Sequence, residues 1–226
     1  MIGTSGYSYP HWKFFYKGAP SLKKYAEHFD TVELNNTFYR FPTIDHIKKW
    51  KSEVPTNFIF AVKAPMLITH RNRLGPRAWP LIKKFLQVVK TFGKQLGPIL
   101  FQFPPSFHCK PENVERIRKL INVCAKYTIA IEFRHHSWDE WRQKNVAVVI
   151  PINPATTLDE IKEMLARSTY IYLRFHPDKL YKKMLKKIWE LIKAAGPKKI
   201  YVYFNNDLEG FALEDARTMR KISGVK

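Results

Sequence analysis

The sequence predicts an α/β fold, a single (β/α)8 TIM barrel spanning residues 1–226. Two observations carry the prediction. Eight short apolar runs recur along the chain, nearly continuous rather than alternating, as parallel strands buried on both faces read. Helix-patterned segments lie between them. A third observation bears on function. Six runs end in polar residues that a core rejects: VELN (32–35), FAVK (60–63), ILFQFPP (99–105), IAIEFRH (129–135), YIYLRFHP (170–177) and YVYFNND (201–207). In such barrels the site lies at the carboxyl ends of the strands.

The strand-like runs cover 2–5, 31–35, 58–63, 98–103, 129–134, 146–150, 169–176 and 199–205. Between them, 80–92 places Ile82, Phe85, Val89 and Phe92 on one helical stripe. Segment 111–127 opens with Pro and Glu and aligns Val114, Ile117, Ile121 and Cys124. Thr157 caps a short helix, with Glu160 completing a capping box. Segment 180–194 aligns Leu180, Met184, Ile188, Leu191 and Ile192, its lysines mostly on the other side. A final helix covers 213–222, and weaker helical patterns lie near 40–55 and 136–144. An open doubly wound sheet is the competing arrangement. The absence of a GxGxxG or GxxxxGK[ST] phosphate loop weakens its nucleotide-binding form.

Composition narrows the class. No apolar run reaches the roughly 20 residues that span a bilayer, and MIGTSG leads directly into a strand, so a cytoplasmic protein is expected. Cys109 and Cys124 make neither a zinc knuckle nor a disulfide framework; a buried Cys124 and an incidental Cys109 are expected. Lys and Arg number 39 against 19 acids, a net charge of +20. Heat adaptation raises Lys and Glu together; here only the bases are raised. That points to an anionic ligand, a phosphate-bearing small molecule or a nucleic acid, rather than to solubility alone.

Side chains two apart on a strand share a face. Parity therefore sorts the polar ends into one inward set: Ser5, Glu33, Asn35, Lys63, Gln102, Glu132, Arg134, Arg174, His176 and Asn205. Phe133, Phe175 and Phe204 point the other way, toward the helices, and His135 points outward. His70, in the loop ITHRNRL, is placed to lean over the set. An ion-pair network, with Glu33 and Glu132 neutralising Lys63, Arg134 and Arg174, accounts for any one of these charges as well as a ligand does.

At these residues the chain resembles the domain of unknown function 72 family, also called YecE-like. The similar stretches are GTSGYSYPHW (3–12), FDTVELNNTFYRFP (29–42), ITHRNRL (68–74), LGPILFQFPPSF (96–107), IEFRHHSW (131–138), YLRFHP (172–177) and VYFNND (202–207). The resemblance implies a single TIM barrel akin to xylose-isomerase-like and endonuclease-IV-like barrels, and no activity. Three departures stand out. Pro177 follows His176 where the family usually has Gly, which implies a stiffer loop. The sixth strand ends in IPIN where relatives often carry an acid, removing one metal ligand or base. Asp215-Ala216 replaces a common Asn-Ala.

For chemistry, Glu33 and Glu132 are the candidate general bases, and His176 or His70 the acid. Lys63, Arg134 and Arg174 supply charge for an anion, with Ser5, Asn35, Gln102 and Asn205 as neutral partners. The Gly3–Gly6 turn offers either backbone N–H groups to that anion or, as such a motif more often does, only a tight turn. A phosphoester or phosphodiester hydrolase fits this set; a non-catalytic nucleic-acid-binding barrel and a carbohydrate-active barrel using the two glutamates are the alternatives. No cofactor is assigned: Glu33, Glu132, His176 and Asn205 allow a divalent metal without favouring one. The aromatics Tyr7, Tyr9, Trp12, Phe14, Phe15 and Tyr16 in the first loop, and Phe38, Tyr39 and Phe41 in the second, are placed either to plug the barrel end or to stack on ligand rings.

Overall fold

A computed structural model describes residues 1–226 except 144–145, 167, 169, 177–179, 197–198, 207 and 226. Among the described residues the strands are β1 (Ile2–Thr4), β2 (Thr31–Leu34), β3 (Ile59–Lys63), β4 (Leu96–Phe103), β5 (Ile129–Phe133), β6 (Ala147–Val148), β7 (Ile150–Ile152), β8 (Ile171–Phe175) and β9 (Ile200–Phe204). The helices are α1 (Lys13–Tyr16), α2 (Leu22–Ala26), α3 (Asn36–Tyr39), α4 (Ile44–Ser52), α5 (Ala78–Val89), α6 (Pro111–Val123), α7 (Leu158–Ala166), α8 (Lys182–Ala194) and α9 (Phe211–Ser223). Strands and helices alternate and the assigned strand ladders run parallel, the α/β pattern of the TIM-barrel class.

The chain divides into two compact units, Met1–Glu33 with Val149–Lys226, and Leu34–Val148. In the first, β1, β9, β8 and β7 lie side by side in that order. Ser5 bridges in parallel to Glu33, bringing the end of β2 beside the end of β1. Gly3 is required there: a Cβ would stand 2.3 Å from the Thr31 carbonyl oxygen. The core of this unit includes Ile2, Ile171, Leu173, Val202 and Met219, all sealed from solvent. Phe175 and Phe204 stack at 4.3 Å, on the face opposite Arg174, as parity predicts.

In the second unit, β3, β4, β5 and β6 are consecutive neighbours. Gln102 lies in register with Glu132, and Lys63 with Leu100. The core joins Phe60, Val62, Phe101, Ile131 and Phe85. Phe133 stacks on Trp138 at 4.1 Å, and the Trp138 indole N–H donates to the Phe107 carbonyl at 2.7 Å. Burying an aromatic of this size contributes about 2–3 kcal/mol.

The sequence-predicted elements are found with shifted ends. Helix 80–92 stops at Val89, and the chain goes on in 3-10 turns over Lys90–Gln95 that are broken by a kink at Gly93, φ +61. Helix 111–127 stops at Val123, and Cys124 is its buried C-cap. The capping box holds: Glu160 N donates to Thr157 Oγ1 at 3.2 Å, and Thr157 N to the Glu160 carboxylate at 2.7 Å. Run 146–150 is a correction. It is not one strand, because pairing changes at Val149: β6 pairs with β5 and β7 with β8. Among the described residues near 136–144, the helical element is a 3-10 turn, His136–Trp138. Thr169 and Pro177, invoked for the seventh strand and its loop, and Asp207 of FNND lie outside the described residues.

Candidate functional site

The sequence-predicted site residues form two clusters, one in each unit. Ser5, Glu33, Arg174, His176 and Asn205 belong to the first unit; Asn35, Lys63, His70, Gln102, Glu132 and Arg134 belong to the second.

In the first unit Glu33 is wholly buried, and its carboxylate is saturated with donors. Arg174 Nη2 donates to Oε1 at 2.8 Å, and its Nε lies 3.2 and 3.1 Å from the two oxygens. Ser5 Oγ donates to Oε1 at 2.7 Å and Tyr172 Oη to Oε2 at 2.6 Å. Burial pushes the Glu33 pKa up, but Arg174 and these hydrogen bonds outweigh it and hold the carboxyl below its ordinary value. Burial and the adjacent Glu33 carboxylate raise the Tyr172 phenol well above its usual range, so it remains a donor. The chain of contacts continues outward: Arg174 Nη1 lies 3.2 Å from His176 Nε2, and Asn205 Nδ2 lies 3.2 Å from His176 Nδ1. A guanidinium only donates, so the Nε2 edge of His176 accepts.

Tyr172 was not among the predicted site residues, because it reads as part of an apolar run. The signal was present: Tyr172, Arg174 and His176 are two apart and share a face. Of the two readings of the Gly3–Gly6 segment, the anion-binding one is not met. Thr4 N donates to Tyr25 Oη at 2.9 Å, Ser5 N to the Phe204 carbonyl at 2.8 Å and Gly6 N to the Glu33 carbonyl at 2.8 Å. Those amides serve the fold and are not offered to an anion.

In the second unit, β3 ends at Lys63, β4 carries Gln102 and β5 carries Glu132. Gln102 Nε2 donates to Glu132 Oε1 at 2.7 Å, and Arg134 Nε approaches the same oxygen at 3.4 Å. Glu132 is buried, whereas the Arg134 side chain is 45% exposed and reaches solvent. Lys63 is nearly buried, its Nζ 4.2 Å from the Phe38 ring centre. His70 stands edge-on to the same ring at 4.9 Å, and its Nδ1 lies 2.9 Å from Thr69 Oγ1. Burial pushes His70 down to about 4; Lys63 and then Arg134 push the same way, against Glu132.

Local backbone explains how His70 is held. Leu67–Arg71 is a π-helical turn, a form that is frequent at functional sites. Arg73 and Leu74 follow at φ +44 and +57, a left-handed region costly for both, and the complete burial of Leu74 holds the turn. Asn35 is the N-cap residue of α3, and Thr37 Oγ1 lies 2.8 Å from the Leu34 carbonyl and 2.6 Å from that of Lys63.

Outside the inward set, His135 follows parity and leaves it. It stacks between His108 at 4.0 Å and His136 at 4.3 Å, with its Nδ1 accepting from Ser137 N at 3.1 Å. Cys124 is buried and its thiol pushed up to about 12 by burial; Cys109 is half-buried. Among the described residues no group of three or more His, Cys, Asp or Glu gathers as a metal-binding set. No helix among them is long and apolar enough to cross a membrane.

The Bacillus subtilis UPF0759 protein YunF is 34% identical over 123 residues, 52% of this chain and 43% of YunF. The Escherichia coli K12 UPF0759 protein YecE is 27% identical over 135 residues, 59% of this chain and 48% of YecE. The matched segments thus span about half the length of these curated relatives. Among solved structures, a DUF72 family protein from Enterococcus faecalis superposes with a TM-score of 0.81 at 23% identity, covering 99% of this chain and 95% of that one. A DUF72 family protein from Thermotoga maritima gives 0.74 at 26% identity, covering 98% and 97%. The E. coli 3-keto-D-glucoside 4-epimerase gives 0.59 at 13% identity, covering 99% and 98%, a likeness of fold alone. The family model described as protein of unknown function DUF72 matches residues 1–226, and the chain belongs to that family.

Proposed function

We propose that the cluster of Lys63, His70, Glu132 and Arg134 binds an anionic ligand, a small molecule bearing phosphate or carboxylate. The observation that supports this reading best is geometric: Lys63 and His70 both pack on the Phe38 ring, and Arg134 stands at the Glu132 carboxylate with its side chain open to solvent. Burial is the largest cause of the lowered His70 pKa, and three cations, Lys63, Arg134 and Arg73, add to it against Glu132. Arg134 reaches solvent and suits bidentate capture of an oxyanion. The first-unit cluster supports a different role. Glu33 is compensated by Arg174, Tyr172 and Ser5, and a carboxyl held below its ordinary value is a weak base. Glu33 and Arg174 therefore act as support for His176 and Asn205.

Titration calorimetry with inorganic phosphate in a non-phosphate buffer at low salt tests the reading. Binding should weaken about tenfold or more in Arg134→Gln, the loss of one charge-assisted contact. Absence of heat at millimolar phosphate would count against the site.

Hydrolysis of a phosphoester is the catalytic form of the same reading. Glu132, oriented by Gln102, is its general base. At neutral pH His70 holds no ready proton until an anion raises its pKa. Glu132→Gln should then abolish turnover of a phosphoester panel while phosphate still binds. The net charge of +20 favours a second reading, a nucleic-acid-binding barrel without chemistry. In that case affinity falls steeply with salt and survives Glu132→Gln.

A further inference from the structure

The aromatic residues of the second loop are divided. Phe38 is buried, whereas Tyr39 leaves 78% of its surface in solvent, more than any other large apolar or aromatic side chain among the described residues. An exposed aromatic is ordinary when it stands alone. Tyr39 does not stand alone. Its ring packs edge-on against Phe38, with centres 5.0 Å apart at 89°. The same Phe38 ring carries Lys63 Nζ at 4.2 Å and meets the His70 ring edge-on at 4.9 Å. The ammonium, the imidazole and the exposed phenol are thus all first neighbours of one side chain.

The backbone that presents Tyr39 is also tied to the cation. Tyr39 ends α3, a single turn. Two residues earlier, the buried Thr37 hydroxyl lies 2.6 Å from the carbonyl oxygen of Lys63. Beyond its edge contact with Phe38, the Tyr39 ring is an open surface one side chain away from a largely buried cation. It is what a ligand with a flat ring next to an anionic group requires, because every planar base or aryl group offers a face to stack.

We infer that the ligand of this site is a ring-bearing phosphate monoester of the nucleoside monophosphate class, its phosphate at Lys63 and Arg134 and its ring on Tyr39. The inference rests on the anion reading above and goes beyond it in naming the ligand class.

Calorimetry with three probes tests it: inorganic phosphate, ribose 5-phosphate and adenosine monophosphate. The monophosphate nucleoside should bind about five- to a hundredfold more tightly than ribose 5-phosphate, the range that one stacked base contributes. Tyr39→Ala should erase that excess and leave phosphate binding within about twofold. Because Tyr39 is exposed, the variant keeps its fold, which an unchanged melting curve verifies. If the nucleotide binds no better than ribose 5-phosphate, or if Tyr39→Ala weakens all three probes equally, the ring site is wrong while the anion site stands. If none of the probes binds, both readings fall together.

Discussion

At the residue scale, the two glutamates chosen by parity have different fates. Glu33 and Arg174 form a fully buried pair, 0% and 1% exposed, and the Ser5 and Tyr172 hydroxyls also donate to the carboxylate. Removing one partner strands the other charge. Arg174→Met should cost about 3–5 kcal/mol in urea unfolding at neutral pH. A double variant that also carries Glu33→Gln should recover part of that loss, whereas a lone Coulombic surface pair would barely register. The pH dependence has a definite sign. Since the Glu33 pKa is lowered in the fold, its contribution is complete above the ordinary carboxylate range and is lost as pH falls through the folded value.

Asp215 behaves in the opposite way. It is wholly buried, and burial raises it to about 6 despite hydrogen bonds from Tyr181 N at 2.9 Å and Asn206 Nδ2 at 2.8 Å. A raised carboxyl binds its proton more tightly in the fold, so stability falls as pH rises from about 4 to above 6. Asp215→Asn keeps an oxygen to accept both bonds and removes the charge. It should stabilise the protein by about 1–3 kcal/mol at pH 8 and have little effect at pH 4, measured by thermal or denaturant melts. The resemblance to relatives with Asn at this position pointed to the site; only its burial explains the direction. Tyr172 was legible by parity but hidden by its aromatic character. The His108–His135–His136 stack was not legible, because it joins loops far apart in sequence.

At the element scale, the apolar runs were legible because strands buried on both faces leave no polar alternation to misread. Their ends were less so. VAVVIPIN reads as one strand, yet the ladder breaks at Val149, which no local preference signals. The aromatic loop was ambiguous for a related reason: composition does not say which ring is covered, and Trp12 is sealed while Phe14 is 66% exposed. Two elements hold the second cluster in place. Turn α3 is fixed to β3 through Thr37, and the loop after β5 is fixed by Trp138. Thr37→Val should cost about 1–2 kcal/mol, since the one hydroxyl proton shared between the Leu34 and Lys63 carbonyls is lost. Trp138→Ala should cost about 3–5 kcal/mol, removing a buried ring stacked on Phe133. Chemical denaturation of each variant checks both values.

At the scale of the whole molecule, the sequence reading treated residues 1–226 as one domain. That proposal predicts a single cooperative unfolding transition, with circular dichroism and tryptophan fluorescence coincident; two separated transitions would mean that the two compact units fold independently. The net charge of +20 acts at this scale too, drawing anions toward the protein in a salt-dependent way. It does not by itself build a site. Beside the Lys63 ammonium and Arg134, His70 is lowered first by burial and then by those cations, so its titration responds to an added anion. Proton NMR titration of the His70 ring, with and without saturating inorganic phosphate, is the decisive measurement. Without ligand His70 should titrate near 4, and phosphate should carry it upward toward the ordinary imidazole range by offsetting Lys63 and Arg134. A His70 that titrates at the same pH with and without phosphate would contradict an anion site at this cluster.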